Sequence, residues 1–347
     1  MQAPSPDLPL ARRDLAACRT ALRHGSRTFL TASWLLPAAV RDAACALYAF
    51  CRDADDAIDL GRDPRRAHDR LLQRLERLYA GRPEDSPVDR AFARVAERYA
   101  ISRALPEALI EGFAWDATGR CYETESDLLA YASRVAGSVG VMMALLMERR
   151  AAPVLARAAE LGMAMQLTNV ARDVGEDARA GRLYLPRQWL REAGIDSEAW
   201  LARPVFTPPI GAVVARLLAA ADALYGRAER GIAVLPAGCR PGIRAARTLY
   251  AAIGDEIARR GHDSVSGRAV VPAMAKLALI GRTLLAPPPA IGLFEPGTLP
   301  EARHLIDAAV AAVPTPAVPG DGRIVWLLAL FDRLERRELA RPGLTAP

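Results

Sequence analysis

Residues 46–59 of the chain, "ALYAFCRDADDAID", place four aspartates directly after an apolar stretch. Aspartate is a mediocre helix former, and its charge is costly to bury. Asp55 and Asp59 are four residues apart, so a helix would stack them on one face, roughly 6 Å apart along its axis. Such crowding of like charges at the end of an apolar helix raises the question of what they bind.

A second cluster lies in "QLTNVARDVGEDARAGRLYLP", residues 166–186. Here Asn169, Asp173 and Asp177 recur every four residues and would form one stripe on a helix. A single such pair is typical of a solvated helix end balanced by neighbouring arginines. Two pairs on apolar helices favour a cation between them, because carboxylates that face each other across a partly buried cavity repel strongly.

Carboxylate and amide oxygens favour a hard cation, Mg²⁺ or alternatively Mn²⁺. Mg²⁺ usually shares its shell with water and substrate phosphates, so the pattern predicts a diphosphate–Mg²⁺ site. Zinc would need clustered His and Cys, but the four histidines are dispersed. A di-iron bundle would need paired Glu-x-x-His motifs, and the chain offers one, Glu301 to His304.

The composition predicts an all-α protein. Of 347 residues, 51% are hydrophobic and only 6% aromatic, and Ala and Leu are far commoner than Val and Ile. The net charge is +6, and Lys276 is the only lysine, so arginine carries the positive charge. Arginine binds phosphate bidentately, although a GC-rich genome would also enrich it. Five scattered cysteines favour a reducing cytosol, and neither a signal peptide nor an 18-residue apolar run is evident.

Hydrophobic periodicity predicts a series of helices and few strands. The predicted helices cover residues 6–24, 37–59, 64–81, 87–101, 104–115, 126–149, 151–178, 187–193, 210–235, 240–260, 268–285 and 323–339. Residues 286–300 and 313–320 are proline-rich and are typical of linkers. We therefore expect one domain over residues 1–285, followed by an appendage at 286–347 whose amphipathic helix packs on the domain.

The motifs resemble those of the squalene/phytoene synthase family. The two aspartate-rich stretches match the family's two motifs, "HGSRTF" at 24–29 matches its N-terminal substrate segment, and "YASRVAGSVG" at 131–140 matches its small-residue helix. "GRAVVP" at 267–272 is similar to its late basic segment. The resemblance covers about residues 15–285 and is greatest to bacterial phytoene synthases.

The resemblance implies a fold, a reaction and a set of site residues. The fold is an isoprenoid-synthase helical bundle around a central apolar cavity. The metal ligands implied are Asp55, Asp59, Asn169, Asp173 and Asp177, the four aspartates are also catalytic, and Tyr184 lies near the reacting centre. The substrate-binding residues implied are Ser26, Arg27, Phe29, Tyr48, Arg52, Gln166, Asn169, Arg172 and Arg268. The family commonly has lysine where this chain has Arg27, which keeps the charge.

The implied reaction joins two geranylgeranyl diphosphates head to head, through a cyclopropylcarbinyl diphosphate, into phytoene. Mg²⁺ is the expected cofactor, and NADPH is not expected. Two alternatives stay open. A related enzyme would use farnesyl diphosphate to make presqualene diphosphate, squalene or dehydrosqualene. A protein of another class would be a non-catalytic, membrane-associated helical scaffold, although the four retained aspartates argue against it.

The expected location is the cytoplasm, with peripheral contact on the inner membrane, because substrates and product are lipids. The helix at 323–339 combines large apolar side chains with four arginines, a composition that can lie in a membrane interface. Nucleic acid is not an expected partner, since the chain has no basic run or recognised binding motif.

Overall fold

The computed structural model describes residues 7–25, 32–59, 61, 63–286 and 297–312. The chain divides into two compact units, Met1–Val313 and Pro314–Pro347, of which the second lies outside the described residues. Every regular element in the described ranges is a helix. The prediction of an all-α fold is confirmed.

The α-helices are, in chain order, α1 (Asp7–Gly25), α2 (Ala38–Asp59), α3 (Pro64–Tyr79), α4 (Pro87–Arg98), α5 (Ala104–Ala117), α6 (Glu125–Ala132), α7 (Ser138–Leu146), α8 (Ala152–Arg179), α9 (Arg187–Glu192), α10 (Ser197–Ala202), α11 (Pro208–Ala233), α12 (Arg240–Arg259), α13 (Ala273–Leu285) and α14 (Arg303–Ala311). A π-helical segment (Ser133–Gly137) joins α6 to α7, and a 3-10 turn (Pro300–Ala302) precedes α14.

Local capping explains where several helices begin. The Asp63 carboxylate accepts hydrogen bonds from the backbone N–H groups of Arg65 and Arg66, with Pro64 in the first turn of α3. Thr124 and Asp127 form a reciprocal capping box at the start of α6. Each device satisfies backbone donors that a helix leaves open at its N-terminus.

Helix α8 is the centre of the bundle and packs against α7, α11 and α12. Its core face includes Leu155, Ala159, Met163 and Leu167, each 1% exposed or less. Near its C-terminal half, the Thr168 hydroxyl lies 3.0 Å from a tyrosine hydroxyl of α11. Because α8 is buried for most of its length, its orientation controls where the polar side chains at its C-terminal end lie.

Two glycines let α8 approach its neighbours backbone to backbone. A Cβ on Gly162 would lie 2.2 Å from the Ala136 carbonyl oxygen of the π-helical segment. A Cβ on Gly140 of α7 would lie 2.1 Å from the Ala158 carbonyl oxygen of α8. No side chain fits at either contact, so glycine is required by packing.

The predicted helix at 268–285 begins later, at Ala273, and this part of the prediction is wrong. Pro272 biases the preceding residue towards extended backbone, which opposes helix at Val271. The segment before it instead lies against α8. The Gly175 backbone N–H donates to the Ser264 carbonyl at 3.1 Å, and a Cβ on Gly175 would lie 2.2 Å from the Val265 carbonyl oxygen.

Two helices were not foreseen from the sequence. Helix α10 begins after its capping residue Asp196, in a stretch between two predicted helices that was expected to be a loop. Helix α14 follows the proline-rich stretch and buries Leu305 and Ile306 against the bundle. The compact unit therefore continues past residue 285, where the sequence analysis ended the domain. The helix expected at 323–339 lies outside the described residues.

Two helical stretches are long and apolar enough to cross a membrane by length and composition alone, Glu125–Leu146 and Pro208–Ala233. From the sequence alone, no continuous apolar run of 18 residues had been expected. Their apolar windows are 61% and 50% buried inside the bundle, as expected for core helices. They are therefore weak evidence for a membrane span.

The glycine contacts predict opposite effects for two substitutions. Gly162→Ala should lower the free energy of unfolding by about 1–3 kcal/mol, because its Cβ meets backbone that cannot move freely. Gly226→Ala, on the exposed side of α11 with nothing within 4 Å, should raise it by about 0.5–1 kcal/mol through helix propensity. Urea and thermal unfolding midpoints measure both. Shifts of the same sign would contradict this account.

Candidate active site

The C-terminal end of α2 carries Asp55 and Asp59, just beyond the residues with which this helix lines an apolar cavity. Tyr48 and Cys51 of the same helix line that cavity, and Asp55 follows Cys51 by one turn. Burial, and then the like charge of Asp59, raise the pKa of Asp55 to about 6. The apolar stripe of α2 thus continues directly into a carboxylate pair, of which Asp55 is the member whose charged form is disfavoured.

The C-terminal half of α8 has the same arrangement. Met165, Gln166 and Asn169 line the cavity, and Asp173 and Asp177 follow at intervals of one turn. The Asn169 amide donates to the Gln166 side-chain oxygen at 3.4 Å. Burial, and then the neighbouring Asp173 carboxylate, raise the pKa of Asp177 to about 7. Two separate helices that line the same cavity therefore each end in a pair of aspartates, and in each pair one carboxyl has a raised pKa.

Arg182 links the two acidic pairs. Its guanidinium lies 3.7 Å from Asp59 on α2, and its charge lowers the pKa of both Asp55 and Asp177. It therefore lies within electrostatic reach of both motifs. Arg182 belongs to the "GRLYLP" stretch, but the sequence analysis did not select it as a site residue.

Three of the predicted diphosphate-binding arginines are paired with the acidic clusters in this structure. Arg52 lies 3.3 Å from Asp55. Arg172 donates to Asp173 at 2.8 Å, and Arg268 reaches the same carboxylate at 2.9 Å although it is 95 residues away in the chain. The structure thus gathers Arg52, Arg172 and Arg268 around the two motifs.

The donor set fits a hard divalent cation. The four carboxylates offer only oxygen atoms, and the raised pKa values of Asp55 and Asp177 show that positive charge would be favourable between the pairs. Within the described ranges, no three His, Cys, Asp or Glu side chains already surround one metal position. Asp173 is instead engaged by both Arg172 and Arg268.

A half-buried carboxylate beside the acidic pairs was missed from the sequence. Asp116 of α5 accepts hydrogen bonds from the hydroxyls of Tyr131 and Tyr184, both at 2.7 Å. Burial raises the pKa of Asp116 to about 6, although the two hydroxyls oppose the rise. Tyr122 packs against both tyrosine rings, with centroids 5.2 and 6.0 Å away. Asp116 stands in no motif, so no local pattern could have identified it.

The cavity beside the acidic pairs has a volume of about 240 Å³ and an almost wholly apolar lining. Its walls come from α2, the π-helical segment, α7, α8, α11 and α12. Tyr250 of α12 joins Tyr48 and Gln166 in the lining, which adds a tyrosine that the sequence analysis did not select. The lining therefore suits an apolar chain whose polar end lies near the aspartates.

The predicted residues Ser26, Arg27 and Phe29 lie outside the described residues. Their roles stay predictions. All the other predicted site residues lie in the cavity wall or around the acidic pairs, which is the arrangement that a diphosphate with a long apolar tail requires.

Comparison with known proteins relates this arrangement to a family. Residues 22–275 match the model of the squalene/phytoene synthase family. The chain is 50% identical to a phytoene synthase of Cereibacter sphaeroides, covering 96% of this chain and 98% of that protein. It is 51% identical to a phytoene synthase of Rhodobacter capsulatus, covering 86% and 91%. Among solved structures, a dehydrosqualene synthase with a bound ligand superposes with a TM-score of 0.74 at 29% identity, covering 79% of this chain and 96% of that one.

The raised pKa of Asp177 predicts how pH affects the metal-free protein. Its folded value of about 7 exceeds the ordinary 3.8, so the folded state holds the proton more tightly. This contribution stabilises the fold at acidic pH and is lost as pH rises through about 7. In EDTA, Asp177→Asn should therefore melt higher than the unsubstituted protein at pH 8, with a smaller difference at pH 5.

Adding Mg²⁺ at pH 8 should raise the melting midpoint of the unsubstituted protein more than that of Asp177→Asn, because a ligand that binds only the folded state stabilises it. Asp69→Asn, at an exposed position on α3, is the control and should respond like the unsubstituted protein. A melting difference that does not change with pH would contradict the assignment.

Proposed function

Because the chain belongs to the squalene/phytoene synthase family, we propose that it condenses two geranylgeranyl diphosphates head to head into phytoene. The observation that carries this proposal is the continuity between the apolar cavity and the two acidic pairs. Each of α2 and α8 lines the cavity with one face and extends the same face into aspartates. The relatives that share half of the sequence are named phytoene synthases.

The family acts on prenyl diphosphates and generally depends on a divalent metal. We assign Mg²⁺ to Asp55, Asp59, Asn169, Asp173 and Asp177, with Mn²⁺ as a substitute. Bound there, the cation would neutralise the diphosphate and make it a better leaving group. The raised pKa values of Asp55 and Asp177 support the assignment, because a bound cation would offset both causes of the rise, the burial of each carboxylate and the like charge of its neighbour.

The arginines exchange partners when substrate binds. Arg172 and Arg268 hold Asp173 in this structure, and Arg52 holds Asp55. Once the carboxylates face a cation, these guanidiniums turn to the diphosphate oxygens, which they can bind in the bidentate geometry that arginine favours. Arg182, within reach of both acidic pairs, neutralises charge that develops as diphosphate departs.

The apolar cavity protects the carbocations of the reaction. Ionisation of one substrate releases diphosphate and leaves an allylic cation, which the double bond of the second substrate attacks. Loss of a first proton closes the ring and gives a cyclopropylcarbinyl diphosphate. Ionisation of that intermediate releases the second diphosphate, and a ring rearrangement with loss of a second proton gives phytoene. Water would capture each cation, and the almost wholly apolar lining excludes it.

Asp116 acts as a positioning residue in this scheme. Its carboxylate fixes the hydroxyls of Tyr131 and Tyr184 at 2.7 Å, beside Asp177 and Arg182. Both hydroxyls are thereby held close to the acidic pairs. This role follows the match of Tyr184 to a family position near the reacting centre.

Product analysis tests the function. Purified protein with Mg²⁺ should convert geranylgeranyl diphosphate to a C40 triene without NADPH, and EDTA should abolish the reaction. Asp173→Asn should lower kcat/KM by about 10²- to 10³-fold, the usual cost of losing one electrostatic stabiliser, whereas Asp69→Asn should not. A C30 product from farnesyl diphosphate instead would place the chain on the squalene branch. No turnover of either substrate would favour a non-catalytic scaffold.

We further propose peripheral contact with the cytoplasmic face of the inner membrane, where prenyl lipids reside. Supporting this, α13 exposes Met274, Leu277 and Leu285, whose exposed fractions are 75%, 59% and 88%. Two variants test the contact by liposome flotation, deletion of residues 320–347 and the pair Leu277→Ser with Leu285→Ser. Each should bind liposomes less while keeping Mg²⁺-dependent turnover, and unchanged binding by both would contradict the proposal.

A further inference from the structure

The end of the cavity farthest from the aspartates contains a buried charge. Along α8, the cavity lining begins near Val154 and Arg157 and continues to Asn169. Twelve residues separate Arg157 from Asn169, which is about 18 Å at ~1.5 Å per residue. The Arg157 side chain is only 2% exposed, and it is the one charged group in the lining of the described cavity. A charged residue in an otherwise apolar wall needs a specific reason.

Arg157 belongs to a compact ionic group that we call the distal cluster, consisting of Arg157, Glu160 and Arg227. The Glu160 carboxylate, 1% exposed, lies 2.9 Å from Arg157 and 2.7 Å from Arg227 of α11. Both arginines also donate to the Gly297 carbonyl, at 2.5 and 3.2 Å. The cluster therefore joins α8, α11 and the segment that leads into α14.

The surrounding backbone prevents Arg157 from moving aside. A Cβ on Gly231 of α11 would lie 2.4 Å from the Arg157 Cβ, so α11 lies directly against the base of the side chain. An apolar chain that displaced the guanidinium would break its bonds to Glu160 and Gly297 and leave buried polar groups unsatisfied. A hydrophobic group of similar volume would stabilise the fold about as well. The contacts of the distal cluster therefore hold the Arg157 side chain in one position.

We propose that the distal cluster is the wall that limits how long a prenyl chain the cavity accepts. This inference rests on the proposed function. With the diphosphate at the aspartates, the apolar tail of the substrate extends along α8 towards Arg157. A C20 tail ends before the guanidinium, whereas a further isoprene unit has to displace it.

The distal cluster includes a contact from a segment that follows the part of the chain matching the family. Gly297 lies past residue 275, where the family match ends. That segment is anchored at its other end as well, because Arg150 donates to the carbonyls of Ala309 and Ala312 at 3.3 and 3.2 Å. Leu305 of α14 is fully buried between these anchors. Chain-length selection is thereby coupled to how residues 297–312 pack.

Arg157→Ala tests the wall without leaving a buried charge alone, because Glu160 keeps its pair with Arg227. The measurement is kcat/KM for C15, C20 and C25 allylic diphosphates with Mg²⁺. The ratio of C25 to C20 should rise at least about tenfold, the scale of discrimination that a hydrophobic pocket supplies. Arg103→Ala, which breaks an exposed pair with Glu107 on α5, is the matched control and should leave the ratio unchanged.

Leu161→Phe provides the opposite test. Leu161 lines the cavity one turn from Arg157 on the side nearer the aspartates, and the larger ring should shorten the cavity and raise the ratio of C15 to C20 turnover. If Arg157→Ala does not fold, the phenylalanine variant tests the proposal alone. An unchanged ratio of C15 to C20 turnover in that variant then overturns the proposal. An unchanged C25 to C20 ratio in folded Arg157→Ala, judged by its melting midpoint, overturns it equally.

Binding affinities for unreactive C15, C20 and C25 thiodiphosphates distinguish failure of the wall from failure of the proposed function. If the unsubstituted protein turns over no C20 substrate, the proposed function fails, but the analogues still test the wall. Arg157→Ala should then bind the C25 analogue more tightly relative to the C20 analogue, by the same factor of about ten. Equal affinity ratios in the two proteins would show that Arg157 sets no limit.

Discussion

Two pairs of aspartates, held at the ends of two buried helices, are the constraint on which the site depends. Each pair stands one turn beyond apolar side chains that line a cavity. Burial and like charge raise the pKa values of Asp55 and Asp177, so the folded chain without a cation carries repulsion that it balances with arginines. The core packing of α2 and α8 overcomes that repulsion. Stability and function are thus opposed at these positions, as is usual for a site that binds a charged ligand.

The cavity exists because helices around α8 make very close contact at some places and none at others. At Gly140 and Gly162 the neighbouring backbones touch. Between these contacts, side chains such as Val139 and Met143 face the empty space. A bundle that packed uniformly would have filled this volume. The small residues therefore determine both the strength of the helix packing and the room left for substrate.

Much of the fold and the metal site was accessible from sequence because both depend on local patterns. Helix periodicity and capping residues such as Asp63 act within a few positions, and four-residue spacing places Asp55 and Asp59 on one face. Asp116 and Arg157 were missed because their surroundings are built from distant segments. Asp116 is defined by hydroxyls 15 and 68 residues away, and Arg157 by a carbonyl 140 residues away. The helix predicted from residue 268 failed because packing against α8 and a proline outweighed apolar periodicity.

The extended segment before α13 has a consequence for how the protein is made. Ser264 and Val265 lie against Gly175 between the two aspartates of α8, and Arg268 reaches Asp173 from 95 positions along the chain. Contacts of such long sequence separation form late, because a large loop must first close. A ribosome must therefore synthesise most of the polypeptide before Arg268 can join Arg172 at the second acidic pair. Nascent chains carry both motifs long before they can bind a lipid diphosphate as the finished protein does.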